Sequence, residues 1–234
     1  MLLHEFIFQI CVLLTYLWTI IHVESILVYH IPKLIIFDLD GTLSDTIQDF
    51  TNSTHYALRQ HGFPEHSIET IRQFVGNGVN KLLERALPEN KRSSDFVSIL
   101  KIDFIKFYST HADEFTKPYP GISDLLTRLY NEGYQMAIAS NKMHDATVRL
   151  IRRFFPNIEF TDIRGQQEGF PTKPNPAIVE EILKLAKVEK SKILYVGDSA
   201  IDVATAYNAK IAFTGVLWGF RPQKEMEEIG ATSF

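Results

Sequence analysis

The chain has 234 residues, 45% hydrophobic and 22% charged, a balance that excludes a disordered chain, a collagen-like chain and a polytopic membrane protein. The length allows one large or two small domains. Net charge is −4, from 24 basic and 28 acidic side chains, so nothing global points to a nucleic-acid partner, and the single cysteine, Cys11, excludes an internal disulfide or a cysteine-rich zinc site.

The N-terminus differs from the rest. Residues 1–32 hold no Lys or Arg, and 16 of the first 21 are apolar. As a helix, Phe6 to Val23 would span about 27 Å, enough for a bilayer core. A signal peptide is the poorest match, because the start carries His4 and Glu5 in place of basic residues and no small-residue cleavage pattern follows. Three readings stay open: a membrane anchor over residues 6–23, an extension translated from an upstream start, or a helix packed on the body. Lys33, after the segment, favours a body in the cytoplasm, with anchoring by residues 6–23 as the variant of that expectation.

Lys33-Leu-Ile-Ile-Phe-Asp38 reads as a buried strand running into the turn Asp38-Leu-Asp-Gly-Thr42. Residues 45–115 then read as helical. Helices are expected over 45–60, 67–74 and 79–87, the last two separated by Gly76-Asn77-Gly78. A longer one is expected over 93–111, with Phe96, Ile99, Leu100, Phe104 and Phe107 on its apolar face. Pro118-Tyr-Pro-Gly121 closes the stretch. Beyond it the chain alternates: helix 122–131, strand 134–139 ending at Ser140-Asn141-Lys142, helix 146–155, strand 158–163, helix 176–186, strand 192–197 ending at Asp198, helix 201–208 and strand 211–217. That alternation predicts an α/β fold, a doubly wound parallel sheet with helices on both faces. The expected organisation is an apolar extension over 1–32, a core from 33–45 and 118–234, and a helical insertion over 46–117 whose hinges lie near Ser44–Thr46 and Lys117–Pro120.

Ligands of such sheets bind at the carboxyl ends of the strands. There the pattern gathers Asp38 and Asp40, Ser140 and Asn141, Asp198 and Asp202, with Lys173 from a loop. Several carboxylates together repel one another unless a cation neutralises them, and an all-oxygen set suits Mg²⁺. A divalent cation beside Lys173 and Ser140 suits a phosphate group.

Phe-Asp38-Leu-Asp40-Gly41-Thr42-Leu43, Ser140-Asn141-Lys142, Lys173-Pro174-Asn-Pro176 and Gly197-Asp198-Ser199-Ala-Ile-Asp202 resemble, in order, the four motifs of the haloacid dehalogenase superfamily of phosphohydrolases. The resemblance covers residues 33 to about 220 and implies an α-helical cap inserted after the first motif, which 46–117 matches. It implies that Asp38 attacks phosphorus and that Asp40 protonates the leaving oxygen and then activates water. It further implies that Asp38, Asp198 and the main-chain carbonyl of Asp40 hold Mg²⁺, and that Ser140 and Asn141 contact the phosphoryl group. Lys173 would neutralise its charge, with Asp202 orienting Lys173 or a metal-bound water, and the Gly41-Thr42 turn would present main-chain N–H groups. A carboxylate at Asp40 favours phosphate chemistry over dehalogenation.

Val75-Gly76-Asn77-Gly78 followed by Glu84-Arg85-Ala86-Leu87 is similar to the cap of phosphoglycolate phosphatases, as is Trp218-Gly219-Phe220-Arg221. This implies a small phosphorylated metabolite as substrate, 2-phosphoglycolate first, read by Gly76, Asn77 and Gly78. Lys81 or Arg85 is a candidate for its charge. Pyrophosphate hydrolysis and β-glucose 1-phosphate isomerisation occur in the same superfamily and stay open, as does a non-catalytic, membrane-tethered binding protein that keeps the fold. The sequence does not set an oligomeric state.

Overall fold

The computed structural model describes residues 31–234. The extension, including the membrane expectation for residues 6–23, lies outside them. Among the described residues no helix is long and apolar enough to cross a membrane.

The strand β1 (Leu34–Phe37) is buried along its whole length. Its side chains alternate between two cores. Leu34 and Ile36 pack with α7 (Ala177–Ala186) and α8 (Ala200–Ala209) on one face, and Ile35 and Phe37 pack with α5 (Ile122–Asn131) and α6 (His144–Phe154) on the other. A strand apolar on both faces belongs at the centre of a doubly wound sheet. The observed order is β5-β4-β1-β6-β7, with β4 (Gln135–Met143), β5 (Asp162–Gln166), β6 (Ile193–Gly197) and β7 (Ala212–Gly215) all running parallel to β1 or to one another. From β1 the chain builds outward through β4 and β5, then returns to build β6 and β7 on the other side. The β1–β6 boundary is therefore the switch point, where a crevice opens beyond the carboxyl ends.

Two strands differ from expectation. The segment expected as a strand over 158–163 pairs only from Asp162, because Ile158 closes a turn onto the Phe155 carbonyl after Pro156, and Ile158 and Phe160 pack against the core without joining the ladder. Strand β4 runs on through Ser140-Asn141-Lys142 to Met143, with a shift of register against β5 between Ala139 and Met143. That irregularity turns successive side chains toward the sheet edge. A short C-terminal helix, α9 (Gln223–Glu227), was not anticipated.

Between β1 and α5 the chain forms α1 (Ile47–Gln60), α2 (Ile68–Phe74), α3 (Val79–Ala86) and α4 (Ser94–His111). These four helices share a core of their own, centred on Phe50, Leu58, Ile71, Leu83, Leu100, Phe104 and Tyr108. Ser67 and Ser93 cap α2 and α4 by accepting from the N–H groups of Thr70 and Phe96. On α4 the buried stripe is Leu100, Phe104 and Tyr108, while Ile99 faces outward.

The two crossings into this insertion are not separate threads. β2 (Ser44–Asp45) pairs antiparallel with β3 (Lys117–Pro118). Asp49, buried in α1, accepts from the N–H groups of Phe115 and Thr116 and from the Thr116 hydroxyl at 2.7 Å, stapling one crossing to the other. Asp49→Ala strands those donors and is expected to cost about 2–3 kcal/mol. Chemical unfolding with the slope held in common with wild type measures it.

Candidate active site

Asp38 follows β1 directly, and Asp198 follows β6, so the switch point sets the two carboxylates side by side. Both are buried. Oxygens of Asp38, Asp198 and Asp202 lie within 4.8 Å of one another. Burial first, then Lys173, Asp202 and Asp40 acting in opposite senses, leaves Asp38 pushed up to about 7. Burial together with Asp202 and Asp38 raises Asp198 well above the usual carboxylate range. Neither carboxylate carries its charge comfortably in this setting without a cation.

The three carboxylates are not equivalent. Asp202 uses both oxygens within the protein. Its Oδ1 accepts from Lys173 Nζ at 2.7 Å, and its Oδ2 accepts from the Ser199 hydroxyl at 2.6 Å and the Ser199 N–H at 3.2 Å, closing a capping box at the start of α8. Asp38 Oδ1 lies 3.0 Å from Lys173 Nζ yet accepts no hydrogen bond of good geometry. Asp198 sits between two glycines. A Cβ at Gly41, where φ is +85°, would lie 2.4 Å from Asp198 Oδ2, and one at Gly219 would lie 2.2 Å from Asp198 Cβ. The Phe220 N–H holds Asp198 Oδ2 at 2.7 Å. A cradle that only glycine permits, beside an unsatisfied carboxylate oxygen, fits a hard divalent cation bound through oxygen.

Lys173 is fully engaged. Its ammonium reaches Asp202 and Asp38, the Ala139 carbonyl at 2.9 Å and the Tyr195 hydroxyl at 3.0 Å. Burial alone would lower its pKa, but Asp202 and Asp38 outweigh burial and raise it well above the usual value, so it is a fixed positive charge. Ser140 is buried and lines the cavity.

The cavity over these groups lies between the sheet edge and the helical insertion. Asp38, Asp40, Ser140, Lys142, Lys173 and Asp198 form its floor, and Phe50, Gly76, Gly78, Leu82, Phe220 and Arg221 are among its walls. Gly76 and Gly78 line it with φ of +120° and +82°, conformations that side chains rarely adopt.

Three expected ligand contacts are placed differently. The Asn77 side chain accepts from Arg85 at 2.9 Å, and Asn77 is not among the residues lining the cavity. Arg85 also donates through Nη1 to the Phe74 carbonyl, so this pair builds the loop. Thr42 directs its hydroxyl toward Asp198 at 3.4 Å and borders a separate apolar cavity. Asn141 lines the site, but its amide is occupied on both sides. It donates to the carbonyls of Gly76 and Lys173 and accepts from the Lys173 N–H at 2.8 Å, joining the insertion to the lysine loop.

Three site residues carry no assigned role in the sequence. Lys142 stands in the sequence only as the third residue of Ser140-Asn141-Lys142. It is buried, with Nζ 2.9 Å from Asp40 Oδ1, and burial lowers its pKa against the pull of Asp40. Its place next to Ser140-Asn141 near the carboxyl end of β4 is the available signal. Tyr195 lies within β6 and reaches the edge with its hydroxyl. Arg221 crosses from the sheet to the insertion and donates to the carbonyls of Gln73 and Val75, at 2.9 and 2.7 Å.

Together the fold and site define a doubly wound α/β enzyme built on buried aspartates and one lysine at the carboxyl edge of its sheet. Within that class the chain belongs to the haloacid dehalogenase-like hydrolase family, whose model matches residues 35–216. It is 34% identical over 194 residues to a phosphoglycolate phosphatase of Vibrio parahaemolyticus, covering 80% of this chain and 85% of that one. It is 30% identical to a phosphoglycolate phosphatase of Aquifex aeolicus, covering 80% and 86%. A crystal structure from Lactobacillus delbrueckii subsp. bulgaricus, provisionally assigned as a phosphoglycolate phosphatase, superposes with a TM-score of 0.81 at 33% identity, covering 86% and 92%. These relatives place the chain with the phosphatases of its family, phosphoric monoester hydrolases.

Proposed function

We propose that the chain is a Mg²⁺-dependent phosphatase of small phosphate monoesters, 2-phosphoglycolate first among them, and that it works through an aspartyl-phosphate. The observation that carries this is Asp38, buried beyond β1 with one oxygen unsatisfied, facing Lys173 and Asp198, with Asp40 two residues on at the same cavity. Asp38 Oδ1 bonds to phosphorus as the P–O bond to the leaving group breaks, and Asp40 gives that oxygen a proton. Asp40, now a carboxylate, takes a proton from the water that splits the aspartyl-phosphate. Lys173 and Ser140 steady the charge on the phosphoryl oxygens, and Asp202 keeps Lys173 in place. Asp38 and Asp198, with the main-chain carbonyl of Asp40, would hold Mg²⁺, which when bound offsets the crowded negative charge of carboxylates and phosphate. The insertion acts as the cap, and the glycine loop at 76–78 bounds the room left for the leaving group.

The substrate assignment rests on the relatives and on that loop. Phosphate release from 2-phosphoglycolate, pyrophosphate and β-glucose 1-phosphate with Mg²⁺ present tests it. More than tenfold preference in kcat/KM for 2-phosphoglycolate is expected, about 1.4 kcal/mol in transition-state binding. A preference of that size for another member of the panel moves the chain to a different substrate. Chelation is expected to stop turnover and added Mg²⁺ to restore it. Full turnover under EDTA overturns the metal assignment.

A further inference from the structure

Lys142 has no part in the chemistry above, yet it is a buried cation beside the cavity. Its side chain is 1% exposed and Asp40's is 10%. Its Nζ lies 4.0 Å from the ring centre of Phe50 and 4.9 Å from that of Tyr108. Those two rings stack nearly parallel, with their centres 5.3 Å apart and 2° between their planes. Lys142 belongs to β4 and Asp40 to the turn that follows β1, whereas Phe50 and Tyr108 belong to α1 and α4 of the insertion. The ammonium is thus gripped from two sides: a carboxylate of the core and aromatic faces of the cap.

We propose that Lys142 is the positioning residue for Asp40, holding its carboxyl in one orientation toward the leaving oxygen, and that Phe50 and Tyr108 fix Lys142 so that the grip is complete only with the cap in place. An aspartate at a turn has several staggered side-chain orientations, and proton transfer needs one of them. A hydrogen bond to a cation that cannot itself move selects it. Lys142 touches neither phosphate nor leaving group in this role. The proposal rests on the reading of Asp40 as the group that gives the leaving oxygen its proton.

That reading supplies a test a merely structural lysine would not pass. When an alkyl ester is cleaved, the departing alkoxide must be protonated as the P–O bond breaks. When 4-nitrophenyl phosphate is cleaved, the phenolate leaves without that proton. The measurement is the rate of the first turnover, with enzyme in excess, on 2-phosphoglycolate and on 4-nitrophenyl phosphate. Any other alkyl monoester hydrolysed by the wild type serves equally, so failure of the substrate assignment leaves the test intact. Lys142→Met keeps the length and fills the aromatic box without a charge. It is expected to lose roughly a hundredfold on the alkyl ester and less than about fivefold on the aryl ester. Lys142→Arg is expected to recover most of the loss, and Phe50→Leu to show a smaller loss with the same dependence on leaving group. The arginine and leucine variants carry the test if the methionine variant does not fold.

Equal losses on both esters overturn the proposal and leave Lys142 a packing residue. A rise in KM confined to carboxylate-bearing substrates also overturns it, and makes Lys142 a contact for the substrate carboxylate. Asp40→Asn, run alongside, separates the two layers. If it too shows no dependence on leaving group, the acid reading of Asp40 has failed, not the placement of Lys142 alone.

Discussion

Asp38→Asn is expected to abolish phosphate release, by roughly ten-thousand-fold or more, while making the protein more stable in the absence of a divalent cation. The two effects have one cause. The amide fills the same buried space but cannot attack phosphorus, so the covalent route is closed. Burial holds Asp38 at about 7, above the ordinary value of 3.8. A carboxylate with a raised pKa binds its proton more tightly when folded than when unfolded. Its contribution to stability is full below about 3.8 and is lost as pH rises through about 7. Under EDTA the wild-type melting temperature is therefore expected to fall between pH 5 and pH 8, by more than that of Asp38→Asn. Added Mg²⁺ is expected to flatten the wild-type profile and leave the variant's nearly unchanged. A variant that still turns over at wild-type rate excludes the aspartyl-phosphate. Two parallel pH profiles under EDTA exclude the electrostatic account of the site.

Lys173→Met should damage both turnover and stability. The lysine ammonium lies 2.7 Å from Asp202 and 3.0 Å from Asp38, with all three side chains buried. Removing it leaves two carboxylates facing each other in a low-dielectric setting, a change that typically costs about 3–5 kcal/mol. Loss of the fixed charge near the phosphoryl group is expected to slow turnover by roughly a hundred- to a thousand-fold. Pairing the change with Asp202→Asn separates the effects. The double variant is expected to regain most of the stability, measured by urea unfolding, and none of the turnover. Arginine is not a substitute, because the ammonium already sits between the Ala139 carbonyl, the Tyr195 hydroxyl and Asp202. If Lys173→Met is as stable as the wild type, the triad does not carry the burden assigned to it.

What could be read from the sequence follows from how local each signal is. Leu34-Ile-Ile-Phe37 announces a doubly buried strand because every residue is apolar and an acidic turn follows. The acidic edge of the site came with it, since Asp38 and Asp198 each directly follow a strand. Strand β5 was displaced because Asp162-Ile-Arg-Gly-Gln166 is an edge strand, polar and only partly buried, which resembles a loop in composition. The box around Lys142 was illegible because its walls come from positions 50 and 108, brought together only by the packing of α1 on α4. Asn141 was recognised as part of a motif, but a motif does not say where an amide points. Here both of its ends are taken by main chain. Phe220 and Arg221 act through a main-chain N–H and through long reach to main-chain carbonyls, and neither leaves a pattern in side-chain chemistry.

The seam between sheet and insertion has a consequence for how such a protein can change over time. Arg221 grips the oxygens of Gln73 and Val75, and Asn141 grips that of Gly76. Every residue carries a main-chain oxygen. The exposed side chain of position 73 can therefore be exchanged without unfastening the insertion from the core, provided the backbone keeps its path. The clasp is indifferent to the identity of the residues it holds. An ancestor with this clasp could try new side chains along the rim of the insertion one substitution at a time, and each intermediate would keep the seam fastened.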